Sequence, residues 1–406
     1  MLCGCRAPSS RFPYSLTPHS LTATSSKAIV LFSGGLDSIL TVRALQRQGI
    51  ECILLNVATP FHDCSLHAAE RAAALGAELV VHRTGEDYLR LIANPQWGYG
   101  KAINPCIDCR ILMCRVAKQL MEERGAVLVA TGEVAGQRPN SQKQHQLSLI
   151  SRESHLAGRL VRPLSAKVLA ETVPEREGMV DRERLFAFNG RGRVGLIRLA
   201  RELGVKKIPQ PSTGCLLCEK SYAPKLRDLF KYEPQPRVWD IDVLHAGRQL
   251  RIDPEIKCAI GRNEAQCDRL QELFHREDRR PSILSVPENF NGPVVLLIGP
   301  DSKRDAPEKW DAALRLAGSL QLRFTPKSKY DPENAVSRFL QCSAENLNAP
   351  QPGEASAKPE EAADPRENGA SIGSTFPWRP HHAGEERCAR VFADPDVEKY
   401  RVIADR

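Results

Sequence analysis

The sequence predicts an α/β protein: an open parallel sheet with helices on both faces over residues 27–225, followed by a smaller α+β module. Three observations lead there. Short apolar runs alternate with helix-spaced segments, and the first run stops at Ser33-Gly34-Gly35 before turning straight into a helix. At 406 residues the chain exceeds one ordinary core, so two domains plus extensions are expected.

The elements follow in order. Residues 1–26 are rich in Ser, Thr and Pro, and Asp37 is the first acidic residue of the chain, a composition that builds no core. The segment reads as a flexible leader, with an organelle transit peptide as the other reading. "AIVLF" is then a buried strand, and "SILTVRALQRQG" has helical spacing with Gly49 as its stop. "IECILLNVA" reads as a strand, "HAAERAAALGA" as a helix ending at Gly76, and "ELVVHR" as a third strand. "CRVAKQLMEERG" and "AVLVATGE" repeat the helix–strand alternation. Residues 226–342 carry shorter alternating segments, among them the helix-spaced "GRNEAQCDRLQELFHRE" and the strand "PVVLLIG". Residues 343–406 are poor in large apolar residues and rich in Pro, Glu and Ala, so a mostly disordered tail is expected, although "CARVFADPDVEKYRVIADR" is more structured in composition.

Composition narrows the class. Charged residues make up 26% and hydrophobic ones 42%, and no apolar run approaches the roughly 18–20 residues of a membrane span, so no membrane role is expected. The net charge of +8 permits an anionic partner such as RNA without demanding one. Thirteen cysteines scattered through a long chain with no signal peptide point to a reducing, cytoplasmic setting. There, closely spaced cysteines signify metal, cluster or redox chemistry.

The first motif is "SGGLDS", Ser33 to Ser38. A strand feeding through Gly34 and Gly35 into a helix presents backbone N–H groups at the helix N-terminus, a ready site for phosphate. The glycines allow close approach, and Ser33 and Ser38 can donate hydroxyl hydrogen bonds. Asp37 would repel a phosphate unless Mg²⁺ or an ammonium stood between them, so it faces magnesium or fixes the turn; an Asp N-cap of an ordinary tight turn is the plain alternative. The loop lacks the Lys of a GxxxxGKS motif, which argues for chemistry away from the γ-phosphate.

The second motif is a pair of CxxC words, "NPCIDCR" with Cys106 and Cys109, and "PSTGCLLC" with Cys215 and Cys218, both expected in loops. Spacing alone leaves three chemistries open: a four-thiolate zinc, a persulfide pair resolved as a disulfide, or three thiolates on a 4Fe-4S cluster. Cys52, Cys64, Cys114, Cys258, Cys267, Cys342 and Cys388 read as buried filler.

"SGGLDS" after "AIVLF" resembles the PP-loop of the ATP pyrophosphatase superfamily, over roughly residues 27–225. "NPCIDCRILM", "ATGEVAGQRPNSQ" and "QPSTGCLL" together resemble the PP-loop tRNA thiouridine synthases, the group of 4-thiouridine synthases and 2-thiouridylases; the pattern at Gly132, Glu133, Gly136, Gln137, Ser141 and Gln142 is closest to the 4-thiouridine type. The resemblance implies ATP and Mg²⁺, adenylation of a uridine carbonyl oxygen in tRNA, and displacement of AMP by sulfur. It implies ATP contacts from Ser33, Gly34, Gly35, Asp37 and Ser38, with Glu133 and Gln137 lining the nucleotide pocket. In cluster-dependent members the ligands correspond to Cys106, Cys109 and Cys215; Cys218 falls outside that scheme and would suit a zinc site. No rhodanese-type domain is seen, so a separate sulfur donor is implied. Words over residues 236–300 resemble an NFACT-like RNA-associated module, which would place Arg248, Arg251 and Arg262 on an RNA-facing surface. Two competing functions keep the same loop: a PP-loop ligase or deazapurine synthase with structural zinc, and a non-catalytic RNA-binding protein.

Overall fold

The computed structural model describes residues 26–211, 214–300, 307–329, 331, 333–342, 386–391 and 401–402. The leader up to residue 25 and tail residues 343–385 lie outside the described residues.

The first sheet contains β1 (Lys27–Leu31), β2 (Glu51–Ala58), β3 (Leu79–Arg83), β4 (Leu128–Thr131) and β5 (Leu160–Val161). All are parallel, in the order β3-β2-β1-β4-β5. The edge strand β3 is half-buried to exposed along its length, whereas β1, β2 and β4 are apolar almost throughout because both faces are buried. Alternate residues show it: Ala28, Val30 and Phe32 join one core, while Ile29 and Leu31 join the other. The first core is closed by α1 (Leu36–Gln46) and α2 (Ser65–Leu75) through Ile39, Val42, Leu45, Ala68 and Ala72. The second is closed by α4 (Cys106–Glu123) and α5 (Gln144–Glu153) through Ile111, Cys114, Ala117 and Ile150. The expected helix stop at Gly76 takes the left-handed conformation, φ 62°, that glycine adopts at low cost. Helices α3 (Glu86–Ala93), α6 (Val173–Arg176) and α7 (Val194–Glu202) complete this part.

Two helices, α8 (Ala223–Tyr232) and α9 (Val238–His245), lead to the second sheet. Its strands are β6 (Arg248–Arg251), β7 (Lys257–Ile260), β8 (Ser282–Pro287), β9 (Val295–Ile298), β10 (Val336–Cys342), β11 (Glu386–Arg390) and β12 (Arg401–Val402). They pair antiparallel in the order β11-β10-β8-β9-β7-β6-β12. Helix α10 (Glu264–His275) covers one face and α11 (Pro307–Arg323) the other. The two edge strands come from the tail, β11 against β10 and β12 against β6, in and just before the stretch "CARVFADPDVEKYRVIADR" that reads as more structured than the rest of it. No described helix is long and apolar enough to cross a membrane.

The chain builds β1, β2 and β3 outward on one side, then crosses to place β4 on the other side of β1. In open parallel sheets the crevice beyond the strand ends at such a reversal is where ligands bind. Both "SGGLDS" after β1 and "TGE" at the end of β4 reach it.

A candidate active-site cleft at the sheet reversal

The turn after β1 is held from within. Gly34 has φ +72°, a conformation that favours glycine, and its carbonyl accepts from the Arg71 guanidinium. The Gly35 N–H donates to Ser33 Oγ at 3.3 Å, the Ser38 hydroxyl donates to the Gly35 carbonyl at 2.9 Å, and the Thr41 hydroxyl donates to the Asp37 carbonyl at 2.9 Å. Gly35, not Asp37, is the N-cap of α1, and no side chain caps it. The first-turn N–H groups are thus left to an incoming anion. Asp37 sits in that first turn, its Oδ2 accepting from Gln137 Nε2 at 3.2 Å. Burial pushes the Asp37 carboxyl up, against the pull of Gln137, Arg193 and Arg138.

Gly132 explains why "TGE" closes β4. A Cβ there would lie 2.6 Å from the Asp37 carbonyl carbon and 2.8 Å from the Ser38 nitrogen, so only glycine lets the strand end meet the loop.

These segments border a cavity of about 660 Å³. Ser33, Gly35, Asp37, Ser38 and Gln137 line one part, Cys106 and Cys218 another, and Arg71, Arg138, Arg191 and Arg193 give the walls positive charge. His62, Cys64, His67 and Asn104 also line it. Cys64 thus departs from its reading as filler, its sulfur taking a 3.3 Å hydrogen bond from Asn56 Nδ2. Cys52, Cys114 and Cys258 are buried, their thiols pushed up to about 12 mainly by that burial. The side chains of Cys342 and Cys388 lie outside the described residues.

Glu133 does not line the cavity. It is 2% exposed, and its Oε2 accepts from Arg162 Nε at 3.0 Å and Thr131 Oγ1 at 3.1 Å, with Arg110 Nε 3.6 Å from Oε1. Burial opposes its charge, but Arg162 and Arg110 hold the carboxyl below the ordinary glutamate range. Arg162 also donates to Ser151 Oγ and the Leu147 carbonyl on α5. Glu133 is therefore a lock between β4, β5 and α5 behind the cleft, not the lining of the nucleotide pocket that the resemblance implies.

The cysteine words are drawn together. Cys106 and Cys109 lie not in a loop but in the first turn of α4, whose N-cap is Pro105. Cys106 accepts from Asn104 Nδ2 at 3.1 Å. Cys109 packs into the apolar cluster of α3 and α8, 3.2 Å from the Tyr88 hydroxyl. Cys215 opens the short 3₁₀ turn Leu216–Cys218, and its sulfur stands 3.9 Å from that of Cys218. The Ile103 N–H donates to the Leu217 carbonyl at 3.2 Å, tying the two cysteine segments to each other. Burial raises all four thiols above their ordinary range. Among the described residues, however, no three His, Cys, Asp or Glu side chains stand in a metal-holding arrangement. The three-thiolate set implied for a cluster, and the four-thiolate set implied for zinc, are not assembled.

Residues 23–168 match the family model of ThiI, the thiamine biosynthesis protein. The ThiI match covers the parallel sheet and the first cysteine word, rather more than a third of the chain, and stops before the second sheet. No curated protein matches. Two solved structures are similar in part. A predicted subunit of a tRNA methyltransferase from Methanocaldococcus jannaschii DSM aligns at 18% identity and a TM-score of 0.26, over 34% of this chain and 68% of that one. A 4-thiouridine synthetase in complex with RNA and bound ATP aligns at 21% identity and a TM-score of 0.29, over 44% of this chain and 52% of that one. The aligned region thus spans about half the length of the synthetase.

In the second sheet, Arg251 does not face outward as expected of an RNA-binding arginine. Its Nη2 pairs with Asp228 Oδ2 at 2.6 Å and its guanidinium lies 4.5 Å from the Tyr232 ring centroid. Arg248 stacks 4.3 Å over the Phe324 ring centroid, and Arg262 is exposed with its Nε donating to Gln266 at 3.2 Å. Among the cleft residues, Arg71, Arg191, Arg193, His62 and His67 carried no signal of their own in sequence; Asn104 and Arg138 sat unremarked within the "NPC" and "GQRPNSQ" words.

Proposed function

We propose that the chain is a cytoplasmic, ATP-dependent tRNA sulfurtransferase that adenylates a uridine carbonyl oxygen and replaces it with sulfur. One observation carries this reading: the phosphate-type loop and two thiols, Cys106 and Cys218, line a single basic cavity. The ThiI match over residues 23–168 supports it.

The backbone N–H groups of the first turn of α1 and the Ser33 and Ser38 hydroxyls would bind the nucleotide phosphates. Asp37 would hold Mg²⁺, which offsets charge on the departing pyrophosphate. Arg138, Arg191 and Arg193 favour the anionic tRNA and the phosphates in the cavity. The uridine oxygen attacks the α-phosphorus and pyrophosphate leaves; the outer sulfur of a persulfide on Cys106 then attacks the activated carbon, AMP leaves with the original oxygen, and a second cysteine thiol attacks the Cys106 sulfur, freeing the thiouridine and leaving a disulfide that an external thiol reductant reopens. A 4Fe-4S cluster on Cys106, Cys109 and Cys215 would supply open-iron sulfide chemistry, but the thiols as placed do not fit it, so no step runs through it.

The test separates the two halves. Asp37→Ala should lose pyrophosphate release, measured with ATP and tRNA. Cys106→Ser should keep pyrophosphate release while thiouridine disappears from nuclease-digested tRNA. Unchanged thiouridine in Cys106→Ser, or no tRNA-dependent pyrophosphate release from the unaltered protein, would refute the proposal.

A further inference from the structure

We infer that Cys218 is the thiol that takes up sulfur, accepting it from the persulfide of a donor protein and passing it to Cys106. The inference rests on the thiolation reading and assigns a role to the one cysteine outside the implied ligand set.

The four thiols differ in access. Cys218 is exposed and lines the cavity; the other three are half-buried. Cys109 and Cys215 pack against an apolar cluster, and the Tyr88 hydroxyl on Cys109 belongs to a side chain only 2% exposed. A persulfide borne on a protein surface needs an exposed acceptor, and of these sulfurs Cys218 is the one that meets the requirement. Cys106 lines the same cavity, where the hydrogen bond from Asn104 orients it. The Ile103–Leu217 bond ties the segment just ahead of Cys106 to the turn that carries Cys218, and both thiols border the one cavity through which sulfur would pass.

The exchange balances without oxidant or reductant. The Cys218 sulfur attacks the outer sulfur of the donor persulfide; that S–S bond breaks, the donor cysteine leaves as its thiolate, and the proton lost by Cys218 goes to it. Cys106 then attacks the same outer sulfur, and Cys218 leaves and takes up the Cys106 proton. Cys215 offers the competing outcome from 3.9 Å away: attack on the inner sulfur would expel sulfide and leave a Cys215–Cys218 disulfide.

Loading can be read without ATP or tRNA. The full chain is incubated with a cysteine desulfurase and L-cysteine, trapped with an alkylating reagent, and mapped by peptide mass spectrometry. The unaltered protein should carry persulfide on Cys218 and Cys106. Cys218→Ser should lose about tenfold in Cys106 loading, whereas Cys106→Ser should still load Cys218. An unchanged melting temperature and retained ATP binding in Cys218→Ser exclude misfolding as the cause. Full Cys106 loading in Cys218→Ser, an unloaded Cys218 in Cys106→Ser, or a Cys215–Cys218 disulfide as the main product would overturn the relay. Loading in the stated order with no thiouridine formed would instead refute thiolation and leave the relay standing.

Discussion

Gly132 and Glu133 are neighbours with opposite duties. Gly132 is defined by the space it leaves, since a methyl group there would press on the Asp37 and Ser38 backbone. Gly132→Ala must therefore push β4 and the phosphate loop apart, with an expected cost of about 1–3 kcal/mol. ATP affinity, measured by calorimetry, should fall about tenfold, and an unshifted affinity would mean that the contact does not set the loop. Glu133 acts through charge. Glu133→Gln leaves Arg162 buried without its carboxylate and should cost about 3 kcal/mol in urea unfolding. The pH dependence has a definite sign. The folded carboxyl lies below its ordinary value, so its contribution is complete above the unfolded value and is lost as pH falls through the folded one. The stability gap between the two proteins should accordingly close on acidification, and a gap constant with pH would exclude the ion pair as its source.

At the scale of elements, legibility followed the range of the interactions. β1, β2 and β4 were plain because a strand buried on both faces must be apolar throughout, and "SGGLDS" was plain because glycine and serine at that spacing encode a backbone shape. The start of α4 reads as loop in the sequence because its N-cap is proline and Asn104 stands one residue outside the capping position. The composition around β11 marks structure, but its pairing is not local, since its partner β10 ends more than forty residues earlier in the chain. Charge misled in the same way. Glu133 and Arg251 look like surface groups until Arg162 and Asp228, from distant positions, are brought beside them. Cys106 and Cys109 share one turn, yet burial sends one to the cavity and the other to an apolar cluster, a division that the CxxC spacing does not contain.

For the whole molecule, α9 decides whether the two sheets behave as separate bodies. The sequence places a boundary between residues 225 and 226, but the packing runs across it. Ile241 and Leu244 on α9 join Leu226 and Leu229 of α8 in the cluster that covers Tyr88, Leu89 and Ile92 of α3. Trp239 and Val243 of α9, with Ala246 just after it, join Leu270 and Leu273 of α10 and the second sheet, where the Trp239 indole donates to the Leu273 carbonyl at 2.9 Å. A helix with residues in both cores cannot leave one without disturbing the other, which predicts coupled unfolding. Ile241→Ala removes a fully buried side chain and should cost about 2–5 kcal/mol. In urea, probes in the two sheets should move together to a lower midpoint in this variant. Two separate transitions, with only the first shifted, would show that α9 touches both halves without coupling them.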